Sequence, residues 1–147
     1  METKPDGEWL AGKVRRWTLP VIPGRPGPDA PPMKRMMLPQ GELAQFYNGQ
    51  EGIRYMAFVE LLADSYRGNH YHKVKVEWLY VIEGELVLVV EDIDSGVRDS
   101  LPLKTGDLAL IQTRVAHLLR IAQPGRAVEF SPAPFDPTDI YPHNLKA

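Results

Sequence analysis

Two histidines separated by a single residue carry the clearest chemical signal in this sequence. His70 and His72 lie on either side of Tyr71 in a stretch rich in β-forming residues. Residues i and i+2 of a β-strand project from the same face, so the two imidazoles would converge on one point. Because neutral imidazole is a common metal ligand, the pair predicts part of a metal site.

Glu77 and His117 extend this pair to four candidate ligands. Glu77 shares a strand face with Leu79 and Val81, where an unpaired carboxylate would be costly to bury. A divalent metal held together with the imidazoles would compensate that charge. His117, taken alone, is more simply a hydrogen-bonded core residue. Together the four side chains form an N3O set that suits Fe, Mn, Ni, Cu or Zn and leaves one or two positions open for water or substrate.

Short β-rich runs must position these side chains, because no helical period is sustained beyond about three turns. Residues with turn chemistry separate the runs, among them Glu83-Gly84 and Gln123-Pro124-Gly125. Many short strands at even spacing favour an all-β sandwich or barrel. The predicted strands cover residues 54–63, 74–82, 85–93, 97–103, 108–111, 117–122 and 127–130.

The prolines divide the chain into three parts. Eight of the 14 lie in residues 1–39 and six in residues 102–147, so the segment 40–101 has none. We therefore expect a proline-rich N-terminal arm over 1–39, a β-barrel over 40–131 and a C-terminal tail over 132–147 that packs on the barrel. Residues 20–32 are unsuited to a helix or a central strand, and 33–38 predict an edge strand or a segment that packs on a partner.

Composition excludes several classes of protein. With 147 residues the chain is long enough for one domain with a real core, and without cysteine it cannot use thiolate ligands or thiol catalysis. A net charge of −2 with both signs interspersed offers no basic stripe for a nucleic-acid backbone. No apolar run approaches the roughly 20 residues of a membrane span, and the N-terminal residues do not resemble a secretory signal. We expect a cytoplasmic protein with neither nucleic acid nor membrane as a partner.

The predicted strands over 76–90 are apolar on both alternating faces, which a sheet with one solvated face does not need. Either a second layer covers the outer face or a dimer interface does. The segment 14–38, exchanged with a partner subunit, would cover it. We therefore expect a homodimer.

The spacing of the candidate ligands resembles the first motif of the cupin superfamily, G-x5-H-x-H-x3,4-E-x6-G. Here four residues separate His72 from Glu77, and six more separate Glu77 from Gly84. Asp64 stands where the motif has its first glycine. None of the candidate ligands is lost.

The second cupin motif, G-x5-P-x-G-x2-H-x3-N, is matched by Gly106 and, after ten further residues, His117. Gln112 and Arg114 replace its proline and glycine, and Ile121 replaces its asparagine. The resemblance implies a cupin-type double-stranded β-helix, or jelly roll, that is commonly dimeric. It also implies a divalent metal (Zn, Mn, Fe or Ni) on His70, His72, Glu77 and His117, with a small-molecule ligand bound in the barrel mouth.

Within cupins, residues 67–73 resemble the branch that acts on nucleotide sugars. In the hypothesis that follows from this resemblance, Arg67, Lys73 or Arg114 would hold a phosphate or carboxylate of the substrate; the alternative is that they are ordinary solvated charges. The favoured hypothesis is a metal-dependent isomerase or epimerase of a keto-sugar or nucleotide sugar. Its proton carrier is not evident, because Glu77 could serve only by leaving the metal and Tyr71 should point away. The alternatives are an Fe(II) dioxygenase and a non-catalytic small-molecule-binding cupin.

Overall fold

The computed structural model describes residues 3–146, and within that range all regular secondary structure is β. The all-β prediction is confirmed. The same range contains no helix that could span a membrane. The strands, in chain order, are β1 (Gly7–Trp9), β2 (Val14–Thr18), β3 (Val21–Pro23), β4 (Lys34–Leu38), β5 (Gly41–Gln45), β6 (Tyr55–Leu61), β7 (Tyr66–Tyr71), β8 (Glu77–Asp92), β9 (Arg98–Lys104), β10 (Asp107–Ile111), β11 (Val115–Ser131) and β12 (Tyr141–Pro142).

Two long antiparallel strands, β8 and β11, organise the barrel. They have 16 and 17 residues and pair with each other along most of their length. β8 pairs with β10 through its first half and with β9 through its second, while β11 pairs with β7 and then with β6. Because each long strand changes its outer neighbour halfway along, the sheet folds into two facing layers. The result is a jelly roll.

The long strands differ from the sequence-based expectation of four shorter ones. Glu83-Gly84 and Gln123-Pro124-Gly125 do not reverse the chain but bend it, and the pairing register shifts between Ile121 and Ala127. Gly84 has a φ of 121°, and a Cβ there would lie 3.0 Å from the Gln123 carbonyl oxygen. A Cβ at Gly125 would overlap the Glu83 carbonyl oxygen. The glycines thus let β8 and β11 approach closely at the bend.

Substitution of Gly125 tests this close approach. In Gly125→Ala the new methyl group meets backbone that cannot rotate away, so we expect the free energy of unfolding to fall by about 3 kcal/mol. The matched control is Gly27→Ala, because a Cβ at Gly27 meets no atom within 4 Å. Chemical denaturation measures both variants, and equal stabilities for the two would contradict the proposed packing at the bend.

Both faces of β8 are buried, as its sequence predicts. Leu79 and Val81 belong to the core between the two layers, whereas Trp78 and Tyr80 lie in a second apolar cluster on the outside of the barrel. The rest of that second cluster includes residues that come from the first third of the chain: Trp17, Leu19, Met33, Phe46 and Tyr47. The second layer is therefore supplied by the chain itself.

The N-terminal residues are more ordered than the expectation of an extended arm suggests. β1 and β2 join the nine-stranded sheet through β10, because Val14 and Trp17 supply buried apolar side chains. β3, β4 and β5 form a separate three-stranded sheet, in which β4 is the central strand and not an edge strand. The boundaries at residues 39 and 131 stay predictions.

Candidate metal and substrate site

The four predicted ligands come from three neighbouring strands and meet on the inside of the barrel. His70 lies in β7, His72 directly follows that strand, Glu77 begins β8 and His117 lies in β11. One ring nitrogen from each of the three histidines lies within 4.8 Å of the others. Glu77 Oε1 is 3.7 Å from His72 Nε2, and its Oε2 is 3.5 Å from His117 Nε2. The predicted cluster is thus assembled.

A bulge in β7 places His70 opposite His117. The pairing of β7 with β11 shifts register between His117 and Leu118. At the bulge, Gly68 and Asn69 have φ values of 99° and 63°. A Cβ on Gly68 would lie 2.5 Å from the His117 carbonyl oxygen, so this position favours glycine on two grounds.

Hydrogen bonds to backbone carbonyls orient two of the imidazoles. His72 Nδ1 lies 2.6 Å from the Asp139 carbonyl oxygen, and His117 Nδ1 lies 3.2 Å from that of Val115. A carbonyl oxygen only accepts, so each Nδ1 is assigned as the donor and each Nε2 is left with its lone pair. Metal-binding histidines are commonly oriented in this way.

The residues present fit a divalent metal. His72 Nε2 is buried and has no hydrogen-bond partner among residues 3–146, which is unfavourable unless something else binds the nitrogen. A metal would satisfy it. Three imidazole nitrogens and one carboxylate form a donor set that suits transition metals, as the sequence predicts.

The protonation states of His70 and His117 agree with metal binding. Burial and the neighbouring His117 and His72 lower the pKa of His70 to about 4. Burial also lowers the pKa of His117, so both imidazoles are neutral near pH 7, as metal ligands must be. At His72, burial is outweighed by Glu77 and the Asp139 carbonyl, which raise its pKa. Burial disfavours the Glu77 carboxylate, but the surrounding imidazoles and Lys75 hold its pKa well below the usual range.

Two site residues were missed by the sequence reasoning. Lys75 Nζ lies 3.3 Å from Glu77 Oε1 and 2.5 Å from Glu129 Oε1. Burial and the charge of Glu77 raise the pKa of Glu129 to about 7. The overlooked signal was a glutamate within the apolar run Ala127–Phe130. Glu129, like Glu77, is a carboxylate among the apolar residues of a strand.

Two cavities border the histidine cluster, and His70 and Glu129 line both. The smaller, of about 120 Å³, is also lined by Arg67, Glu77 and His117 and by apolar side chains. The larger, of about 190 Å³, lies between His72, Lys75 and the C-terminal tail. A small molecule in either cavity would therefore contact the candidate ligands and Glu129.

The C-terminal tail holds the turn that separates His72 from Glu77. The Asp139 carboxylate accepts hydrogen bonds from the backbone N–H groups of residues 73, 74 and 75, at distances of 2.8, 3.2 and 3.0 Å. These bonds hold the pKa of Asp139 low although its burial acts in the opposite direction. Its carbonyl also binds His72, so one residue positions both the turn and a candidate ligand.

The three predicted substrate-binding residues lie in different surroundings. Arg67 lines the smaller cavity, and its Nε donates to the Glu60 carbonyl at 3.1 Å. Lys73 Nζ lies 4.3 Å above the Tyr141 ring. Arg114 is partly exposed, and its Nη2 lies 2.7 Å from Asp94 Oδ1. Of the three, the structure brings Arg67 to a cavity beside the histidines.

The fold and the site define a jelly-roll protein with a histidine-rich centre inside its barrel. Residues 57–131 match the cupin domain family, and the chain belongs to that family. The resemblance noted from the two motifs is confirmed. No curated protein matches the chain in sequence.

Solved structures with a similar fold include enzymes of nucleotide-sugar metabolism. The dTDP-4-dehydrorhamnose 3,5-epimerase from Bacillus anthracis, with TDP and PPi bound, has a TM-score of 0.74 at 12% identity, covering 97% of this chain and 85% of that one. The dTDP-6-deoxy-D-glucose-3,5-epimerase from Legionella pneumophila has a TM-score of 0.73 at 12% identity, covering 95% of this chain and 77% of that one. The TDP-quinovose 3,4-ketoisomerase from Campylobacter jejuni has a TM-score of 0.66 at 13% identity, covering 76% of this chain and 89% of that one. At these identities the likeness concerns the fold.

Metal content tests the four-ligand set. After loading with Mn, Fe(II), Ni or Zn and gel filtration, we expect about one equivalent per chain in the wild type and less than about a tenth in His72→Ala. His143→Ala is the matched control, because His143 does not belong to the histidine cluster. Its Nε2 lies 2.7 Å from Glu91 Oε2 instead. Elemental analysis gives the stoichiometry. Failure of the wild type to retain any of these metals, or retention by His72→Ala, would contradict the assignment.

Substitution of Asp139 tests the role of the tail. Asp139→Asn removes a charged acceptor of several backbone N–H groups, so we expect a loss of about 2 kcal/mol in the free energy of unfolding. Because the Asp139 side chain anchors the segment whose main-chain carbonyl orients His72, metal affinity should fall by about tenfold or more. Asp29→Asn, at an exposed position, is the control. A metal affinity and stability equal to that of the control would show that the tail does not support the site.

Proposed function

We propose that the protein is a metal-dependent isomerase or epimerase of a keto-sugar, either free or linked to a nucleotide. The observation that carries the proposal is that Glu129, a partly buried carboxylate, lines the same two cavities as His70 of the ligand cluster. The names of structurally similar enzymes, 3,5-epimerases and a 3,4-ketoisomerase, support the same reaction class.

In this proposal His70, His72, Glu77 and His117 hold a divalent metal, with Zn, Mn, Fe and Ni as the candidates. When bound, the metal supplies a Lewis acid for an oxygen of the substrate. The side chains contribute three imidazoles and one carboxylate, and Val59, Leu79 and Leu119 form the apolar part of the wall of the smaller cavity.

Glu129 supplies the proton carrier that the sequence alone did not reveal. Its carboxylate removes a proton from the carbon next to the carbonyl, and the electron pair moves into the carbonyl system. In an isomerisation the proton returns to the neighbouring carbon, while the hydroxyl proton crosses to the other oxygen. Lys75 Nζ, 2.5 Å from Glu129 Oε1, holds the carboxylate in place. Tyr71 takes no part, because its ring stacks on Tyr141 with centroids 5.2 Å apart.

A single carboxylate favours isomerisation over epimerisation. Proton transfer between adjacent carbons can occur on one face of the substrate, whereas inversion at one carbon requires a second group on the opposite face. Arg67, beside the smaller cavity, is our candidate for holding an anionic group of the substrate, and roles for Lys73 and Arg114 stay predictions. A cytoplasmic location and a homodimer also stay predictions.

Solvent deuterium exchange tests the proposal. With metal loaded, we expect the wild type to incorporate deuterium next to the carbonyl of at least one member of a panel of free ketoses and TDP-linked 4-keto-sugars. Glu129→Gln should lose this exchange by a factor of about 100 or more while retaining its metal. Glu83→Gln, at an exposed position on β8, is the control. Mass spectrometry measures the incorporation.

Three outcomes would contradict the proposal. The first is the absence of exchange across the whole panel by metal-loaded wild type. The second is Fe(II)-dependent oxygen consumption without exchange, which would indicate a dioxygenase. The third is a ligand-induced rise in melting temperature without turnover, which would indicate a binding protein.

A further inference from the structure

Strand β6 is an edge strand with an apolar outer face. It pairs with β11 on one side, and no strand of the described chain pairs with it on the other. Met56 and Phe58 point outward and are 65% and 68% exposed. Arg54, which directly precedes the strand, and Glu60 near its end are exposed on the same face.

Four of the five other edge strands of the described chain, β1, β3, β9 and β12, are protected against pairing. β9 contains Pro102 together with the charged side chains of Arg98, Asp99 and Lys104. β1, β3 and β12 have two or three residues each. Charges, proline and short length are the usual means by which proteins block edge pairing. β6 has seven residues, contains neither proline nor glycine, and places two large apolar side chains outward.

We infer that β6 pairs antiparallel with β6 of a second copy of this chain, about a two-fold axis that passes through Ala57. In this register Met56 of each copy lies opposite Phe58 of the other, and Arg54 of each lies opposite Glu60 of the other. The interface is therefore self-complementary, as a two-fold interface must be. The inference does not depend on the proposed activity.

The outward residues select this register among its neighbours. Moving the axis to Phe58 would place Met56 opposite Glu60, and moving it to Met56 would place Arg54 opposite Phe58. Each alternative sets a charge against an apolar side chain. Cross-strand pairs of opposite charge and of apolar side chains each stabilise a sheet, and in the register centred on Ala57 every outward pair is of one of these kinds.

An apolar groove beside β6 continues the same surface. It has a volume of about 510 Å³ and is lined by Met56 together with Phe46, Tyr47, Ile53 and Phe130, among others. Phe58 of the second copy, opposite Met56, would lie at the edge of this groove. At the other end Arg67 Nε already donates to the Glu60 carbonyl at 3.1 Å, so backbone pairing centres on residues 56–58.

A charge swap tests both the interface and its register. We expect the wild type to be a dimer by analytical ultracentrifugation at micromolar concentration. Glu60→Arg and Arg54→Glu each turn two attractive pairs into two repulsive ones, which should raise the dissociation constant about 10- to 30-fold. The double variant, with both substitutions, should restore the wild-type value. A monomeric wild type, or single variants that dimerise as well as the wild type, would overturn the inference.

Cysteine cross-linking provides a second readout, because the chain has no cysteine of its own. In the proposed register residue 57 faces its own counterpart at a Cα separation of about 4.5–5.5 Å, within the range of a disulfide. Ala57→Cys should therefore form a covalent dimer on mild oxidation. Val97→Cys, at a position that is 55% exposed and distant in sequence, should form no covalent dimer under the same conditions. Equal cross-linking of the two variants would refute the interface.

Discussion

The buried charge of Glu77 is the constraint on which the site depends. Its side chain begins β8 with 5% exposure, and removing a carboxylate from water is unfavourable unless cations or donors surround it. Lys75 lies 3.3 Å away, and imidazole nitrogens lie at 3.5 and 3.7 Å. A metal bound to the same imidazoles would complete the compensation. Three strands must therefore bring their polar side chains to one point inside an otherwise apolar barrel.

The two long strands make this convergence possible. β8 carries Glu77 and β11 carries both His117 and Glu129, so their pairing fixes three of the polar groups relative to one another. The bend at Gly84 and Gly125 folds the paired strands into two layers and encloses the cavities. Asp139, in the C-terminal tail, stabilises the turn between His72 and Glu77 by hydrogen bonds to His72 and to the backbone of the turn. Each of these features is local, but the site requires all of them together.

The clustering of the four candidate ligands was predictable from the sequence, whereas their surroundings were only partly so. The alternation of strand residues placed His70 and His72 on one face, and the apolar neighbours of Glu77 marked it as a buried charge. The alternation could not show that Glu129 would lie beside Lys75, because that contact joins residues 54 positions apart. Arg114 lies in the turn between β10 and β11, but the sequence did not reveal that Asp94 would bind its guanidinium.

The strand pattern was predicted better than its connections. Gly84 and Gly125 lie in sequences that are typical of turns. Sequence alone does not distinguish a bend in a paired strand from a chain reversal, since both favour residues without a Cβ. Because residues 1–39 are rich in proline, the sequence predicted an extended arm there and not the strands β1 and β2. Both strands lie between prolines and have ordinary strand sequences.

The most direct measurement of the central claim is an anomalous difference map from crystals of the metal-loaded protein. A metal held by Glu77 and the three histidines predicts one strong peak, about 2.0–2.3 Å from an imidazole nitrogen of each histidine and from a Glu77 oxygen. A map without a peak among these side chains, or with its peak elsewhere, would contradict the claim.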